Sequence, residues 1–354
     1  MSILDIFLLS PEVLQAWPDL VQKLMAKNIS DHNPVALTLA QENWGPKPFR
    51  WFDHWAEEVT VVESINKVCL SMSGSGISDL LKQCKEKAKE WSKSKNASSH
   101  SSITELETKV ATLEAALAKE NPDPSVKNKI ISTCVQLWKT IRQNEREWLQ
   151  KSRLRWFKEG DRNSKFFHIF ATSRRSKNPI SKLSSGNVVL TKPRQIKMAI
   201  HEHFRKFYNE SNNLQVDRLE SLQNLIDPVT TLNLEEKFTT EEISSTLSCT
   251  YGSRAPGPDG FNMNFLKKFW PKLKDSICNF FKDFYQGNVI DRNYNHSFIV
   301  LIPKVNNPST MEDFRPISLV GCIYMLLAKV LALRMRKIAH MVIGETQFAF
   351  VPRK

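Results

Sequence analysis

Cysteine is scarce. Six occur in 354 residues, with no Cys-x-x-Cys pair and no Cys/His cluster. That is poor material for a zinc site or a disulfide framework. It fits a reducing, intracellular setting, nucleus or cytoplasm. Glycine is also low, at 11 residues, which disfavours propellers and β-sandwiches with their many tight turns. Long apolar runs are missing. The best, 319–333, is interrupted by Lys329 and falls short of the roughly 20 residues of a bilayer span. The first ten residues are apolar but contain Asp5 and no basic stretch, so they read as a strand and not as a signal peptide. No membrane partner is expected.

Positive charge is abundant. Lys and Arg number 50 against 37 Asp and Glu, a formal net charge of +13. Such a surplus points first to a polyanionic partner, RNA or DNA. It is concentrated. Residues 151–182 hold ten Lys/Arg and two acids, a net +8, interleaved with Trp156, Phe157, Phe166, Phe167 and Phe170. Cations for phosphates and rings for bases are the ingredients of a nucleic-acid surface. The candidate contacts are Arg153, Arg155, Lys158, Arg162, Lys165, Arg174, Arg175 and Lys177. The spacing of Phe166, Phe167 and Phe170 also fits one buried helical face, and the two readings are compatible. Residues 297–354 carry eight Lys/Arg and three acids.

At 41% hydrophobic residues, the chain has material for a core. Its length suits two or three domains at roughly 100–200 residues each. Phe7-Leu8-Leu9 reads as a strand, Pro11 opens a helix, and 34–37 is a second strand. Gly45, Pro46 and Pro48 mark a boundary. Ile77, Leu80, Leu81, Cys84, Ala88 and Trp91 follow helical spacing, with a Ser/Asn-rich break over 92–102. Ile103, Leu106, Val110, Leu113 and Leu117 step by three and four, an a/d seam two heptads long. Pairing with a following helix across Asn121-Pro-Asp-Pro124 makes a stalk. Self-association through 103–117 is the alternative. Val188-Val-Leu190 reads as a strand. Lys197 to Tyr208 reads as a helix with Ile200, Phe204 and Phe207 on one face. Thr239 is placed to cap another helix. The fold class is mostly α with small β elements, α+β.

Residues 251–354 are the most informative. A loop, Gly252 to Gly260, precedes a helix bearing Phe265, Phe269, Leu273, Ile277, Phe281 and Phe284. Gly257 and Gly260 allow positive φ, and Asp259 is placed to cap that helix. The loop matches no phosphate-binding pattern; a template contact near Arg254 stays open. A strand from Ser297 to Pro303, a polar turn and a second strand from Phe314 to Leu319 form a hairpin. Lys304 and Arg315 flank its turn. A long apolar helix follows, over about 321–343.

Four strings, Ala255-Pro-Gly-Pro-Asp-Gly-Phe261, Phe298-Ile-Val-Leu-Ile-Pro-Lys304, Phe314-Arg-Pro-Ile-Ser-Leu319 and Gln347-Phe-Ala-Phe350, occur in this order. Together they resemble the fingers of reverse transcriptases from non-LTR retrotransposons (long interspersed elements). The segment 148–168 is similar to the linker before the polymerase in plant-type members. Ile29-Ser-Asp-His-Asn-Pro34 resembles the last motif of the endonuclease that precedes it. The resemblance implies four regions: an endonuclease remnant (1–42), a helical stalk (43–150), a basic pre-polymerase region (151–250) and partial fingers (251–354).

It also implies roles. Arg315 would contact the incoming nucleotide, its planar fork clasping phosphate oxygens. Lys304 would contact nucleotide or template. In the endonuclease family the equivalent of His32 is a general base oriented by that of Asp31; here they read as a remnant without chemistry. An Arg usually follows the family's equivalent of Asp5, and Ile6 stands in its place.

Polymerases of this type use two metal ions held by carboxylates. The family supplies an Asp just beyond the Gln-Phe-Ala-Phe string and an adjacent Asp pair later. This sequence has no Asp-Asp pair and no Asp after Asp313. The expectation is a truncated polyprotein without polymerase or endonuclease activity. No bound cofactor is expected, Mg²⁺ and deoxynucleotide triphosphate belonging to the intact family. Residual nucleic-acid binding is expected; the alternatives are a non-enzymatic RNA/DNA-binding or assembly module, or a partial reading of a longer reverse transcriptase.

Overall fold

The computed structural model describes residues 7–17, 20–24, 35–39, 44–99, 102–117, 125–152, 180, 182–186, 188–209, 234–288, 290–305 and 308–342. The described residues are mostly helical with three two-stranded sheets, the α+β class expected. In chain order the elements are α1 (Pro11–Ala16), β1 (Leu20–Leu24), β2 (Val35–Leu39), α2 (Val59–Ser71), α3 (Ile77–Ser99), α4 (Ser102–Leu117), α5 (Ser125–Ser152), β3 (Leu183–Ser185) and β4 (Val188–Leu190). There follow α6 (Pro193–Asn209), α7 (Thr240–Cys249), α8 (Met263–Tyr285), β5 (Ser297–Pro303), β6 (Phe314–Val320) and α9 (Cys322–Val342). No described helix is long and apolar enough to cross a membrane.

The chain divides into two compact units. The first takes residues 1–46, 93–203 and 301–315; the second takes 47–92, 204–300 and 316–354.

In the first unit, β1 pairs antiparallel with β2, Gln22 opposite Leu37, and β3 pairs antiparallel with β4, Ser184 opposite Val189. Phe7-Leu8-Leu9 is not a strand: Phe7 and Leu8 are exposed, and Ser10 caps α1 by accepting from the Val13 N–H. The break expected over 92–102 is also absent up to Ser99, where α3 runs on. Tertiary packing of its buried start carries a helix through a weakly propensive tail. α4 packs against α5. Leu106 is buried on the seam, and Ile103, Val110, Leu113 and Leu117 are half-buried. The heptad stripe thus has an intramolecular partner. The other face of α5 leaves Ile131, Val135 and Trp138 exposed. The Pro-containing turn over 121–124 lies outside the described residues.

In the second unit the core gathers Ile77, Leu80, Leu81, Cys84 and Ala88 of α3 with Val61, Ile65 and Val68 of α2, the apolar face of α8, and Ile323, Leu326, Leu327 and Val330 of α9. Trp51 sits among Trp55, Phe261, Phe265 and Phe269. The Thr239 hydroxyl caps α7 by accepting from the Glu242 N–H at 3.1 Å.

The Pro-Gly-Pro-Asp-Gly loop ties this core together. Asn262, not Asp259, caps α8, accepting from the Phe265 N–H at 3.1 Å. Asp259 instead accepts from the Phe261 N–H and, with its other oxygen, from the Cys322 N–H at the start of α9. A carboxylate there satisfies a helix-terminal donor and meets the positive end of the macrodipole. Burial raises the Asp259 pKa above the usual carboxylate value, opposed by those hydrogen bonds. Gly257 is required by close approach and not by positive φ: a Cβ would lie 2.4 Å from the Val320 carbonyl carbon and oxygen. Gly260 does need its φ of +83°, and its carbonyl accepts from the Trp51 N–H at 2.8 Å.

Asp259→Ala is expected to cost about 2 kcal/mol, the upper range of a lost helix cap. Asp259→Asn, which keeps an acceptor, costs less. Urea denaturation midpoints check this; equal midpoints for wild type and Asp259→Ala would exclude the capping role.

Candidate nucleotide-facing hairpin

β5 and β6 pair into one two-stranded sheet, so the expected hairpin forms. Its tip, residues 301–315, belongs to the first unit. Phe314, the first residue of β6, is buried in a small core with Leu183 and Ile196, against which Leu301, Met311 and Leu190 pack. The Ser184 N–H donates to the Ser309 carbonyl at 2.6 Å. The tip is therefore anchored both by burial and by the backbone.

The turn is wound by Asp313. Its Oδ2 accepts from the Ser309 N–H at 2.8 Å and the Thr310 N–H at 2.9 Å. These two bonds hold the Asp313 carboxyl below its ordinary pKa. A short 3₁₀ turn, Met311–Asp313, results. The pattern Thr310-x-x-Asp313 forms a short capping box, where the sequence alone reads only as a polar turn.

The two cations come from opposite arms and have different surroundings. The Lys304 N–H donates to the Asp313 carbonyl at 2.7 Å, and its Nζ donates to the Glu312 carbonyl at 2.7 Å. Lys304 thus closes the turn. Arg315 follows the buried Phe314 and is exposed. Its guanidinium has no hydrogen-bond or ion-pair partner among the described residues. A planar five-donor fork on a fixed backbone can bind phosphate oxygens bidentately. Arg254, in the loop of the second unit, is also exposed.

The other sequence-predicted residues lie outside the described ones: Asp31, His32, Arg153, Arg155, Lys158, Arg162, Lys165, Arg174, Arg175 and Lys177, and with them the Gln347-Phe-Ala-Phe350 string. Among the described residues no group of three or more His, Cys, Asp and Glu could hold a metal ion.

Sequence reasoning missed Arg334. On α9 it is buried, donating Nε and Nη2 to the two Glu242 carboxylate oxygens at 2.7 Å each. Nη1 reaches the carbonyls of Leu234 at 3.0 Å and Glu236 at 2.6 Å. Its guanidinium lies 4.2 Å from the Phe238 ring centroid. Nothing in local sequence marks it off from its neighbour Arg336, which is exposed.

No family model matches the chain. It is similar to a protein named transposon TX1 uncharacterized 149 kDa protein from Xenopus laevis, 23% identical over 269 residues. The match takes in 74% of this chain and 20% of that protein. The chain therefore spans about a fifth of that relative's length, and it is a distant relative of a transposon protein.

Proposed function

We propose that the chain is a nucleic-acid-engaging segment of a non-LTR retrotransposon reverse transcriptase, joining a basic linker to the start of the polymerase fingers. The observation that carries the reading is the hairpin: Phe314 is planted in a core while the adjacent Arg315 is left exposed without a described partner. The colinear strings around it and the distant transposon relative support the same reading. In an intact polymerase of this type Arg315 would face the triphosphate of the incoming nucleotide, where a cation offsets charge building on the leaving group. Lys304, spent on the Glu312 carbonyl, would shape the turn.

These 354 residues bring no Asp pair, so they do not by themselves extend a primer. Template-dependent synthesis from this chain with Mg²⁺ or Mn²⁺ would overturn that part of the proposal. Binding needs no metal. Affinity for RNA or DNA is expected to fall about 10³-fold or more between 50 and 200 mM salt if six or more phosphates are neutralised. Neutralising Arg153, Arg155, Arg174 and Arg175 together should flatten that slope, as followed by fluorescence anisotropy. An unchanged slope would remove the linker from the interface.

A further inference from the structure

The end of α6 carries an unusual surface. From Phe204 onward it belongs to the second unit. Phe207 and Tyr208 are 63% and 62% exposed, although large rings are normally drawn inward. The two rings meet edge to face at 5.3 Å between centroids. Beneath them Phe204 is buried and lies near parallel to Tyr208, at 6.2 Å and 26°. The exposed tyrosine is thus backed by a ring fixed in place. Arg205 and Lys206 stand between these rings in sequence, both exposed and without a described hydrogen-bond or ion-pair partner.

Cations at a helix C-terminus also suit the macrodipole, and that accounts for Arg205 and Lys206 alone. It does not account for two exposed rings directly after them. Rings held in fixed orientation with cations alongside match the demands of a single strand: a π-face for each base and a positive charge for each flanking phosphate. The charge selects a polyanion, and the rings select one with unpaired bases.

We propose that the C-terminal end of α6 is a stacking platform for single-stranded nucleic acid, with Phe207 and Tyr208 taking bases and Arg205 and Lys206 taking the adjoining phosphates. This goes beyond the linker and the hairpin, and it rests on the nucleic-acid reading above.

The test compares a 12-nucleotide oligo-dT with an abasic 12-mer of equal charge, each titrated against the full chain at low salt. The wild type is expected to prefer the base-bearing strand by at least about tenfold, since each of the two stacked bases contributes on that order of affinity. Phe207→Ala with Tyr208→Ala should bring oligo-dT down to the abasic level. Phe207→Trp with Tyr208→Trp should keep the preference, which separates lost stacking from misfolding. Arg205→Glu with Lys206→Glu should weaken both strands alike. Equal wild-type affinity for the two strands would overturn the platform, as would a preference that survives removal of both rings. Tighter binding to anionic lipid vesicles than to oligo-dT would also overturn it. The linker variant tests the other reading independently: if it leaves the salt slope unchanged while the base preference persists, the platform stands and the linker reading fails.

Discussion

Arg334→Leu is expected to destabilise the second unit by about 3–5 kcal/mol, the cost of breaking a buried ion pair from one side. The Arg334 side chain is 9% exposed and that of Glu242 27%, so the pair is far from the exposed kind that contributes under about 1 kcal/mol. Removing the guanidinium strands a carboxylate and withdraws donors from three backbone carbonyls, those of Leu234, Glu236 and Lys237. Arg334→Lys should recover only part of the loss, because an ammonium cannot span both carboxylate oxygens and the carbonyls together. Adding Glu242→Leu to Arg334→Leu should also recover part, since it removes the stranded charge and not the orphaned carbonyls. Chemical denaturation of the four proteins measures this. A loss below about 1 kcal/mol for Arg334→Leu would mean that the pair is screened like a surface one.

The second large effect is expected at Trp51. It is 1% exposed and meets Trp55 at 5.4 Å and Phe265 at 5.1 Å, both edge to face. Trp51→Ala should cost about 3–5 kcal/mol, because a cavity between α8 and the segment before α2 cannot close around so many rigid rings. Trp51→Phe should cost less, keeping an edge for its neighbours. Denaturation midpoints check the energy, and near-ultraviolet circular dichroism should lose the coupled aromatic signal in Trp51→Ala. An unchanged midpoint would remove residues 49–55 from the core.

Much of the fold was legible before the structure. The spacing Ile77, Leu80, Leu81, Cys84, Ala88 and Trp91 specifies a helix face; the first five are buried and Trp91 is partly buried against the same core. Thr239 caps α7 as its position implies, and the hairpin strands fall within a residue of their expected ends. Phe207 is an instructive failure. Helical spacing put it on one face with Ile200 and Phe204, yet Phe204 is buried while Phe207 is exposed. Period alone says which residues share a stripe, not how wide a stripe the neighbours cover. Strands β1 and β3 were missed because segments of five and three residues carry little periodic signal.

For the candidate site the division is similar. The sequence by itself determined the charge surplus, the helical faces, and a hairpin with Lys304 and Arg315 on its two arms. These depend on residue type and near-neighbour spacing, which the chain carries locally. The tertiary structure decided what each charge does. It spent Lys304 on the Glu312 carbonyl and left Arg315 exposed. It turned Asp259 from the helix after it to α9, more than sixty residues on. It buried Arg334 against Glu242 and left Phe207 and Tyr208 at the surface. Those outcomes depend on which distant groups arrive within hydrogen-bond reach or within the same core. No local pattern encodes that arrival, because desolvation and pairing are properties of the packed neighbourhood and not of the residue.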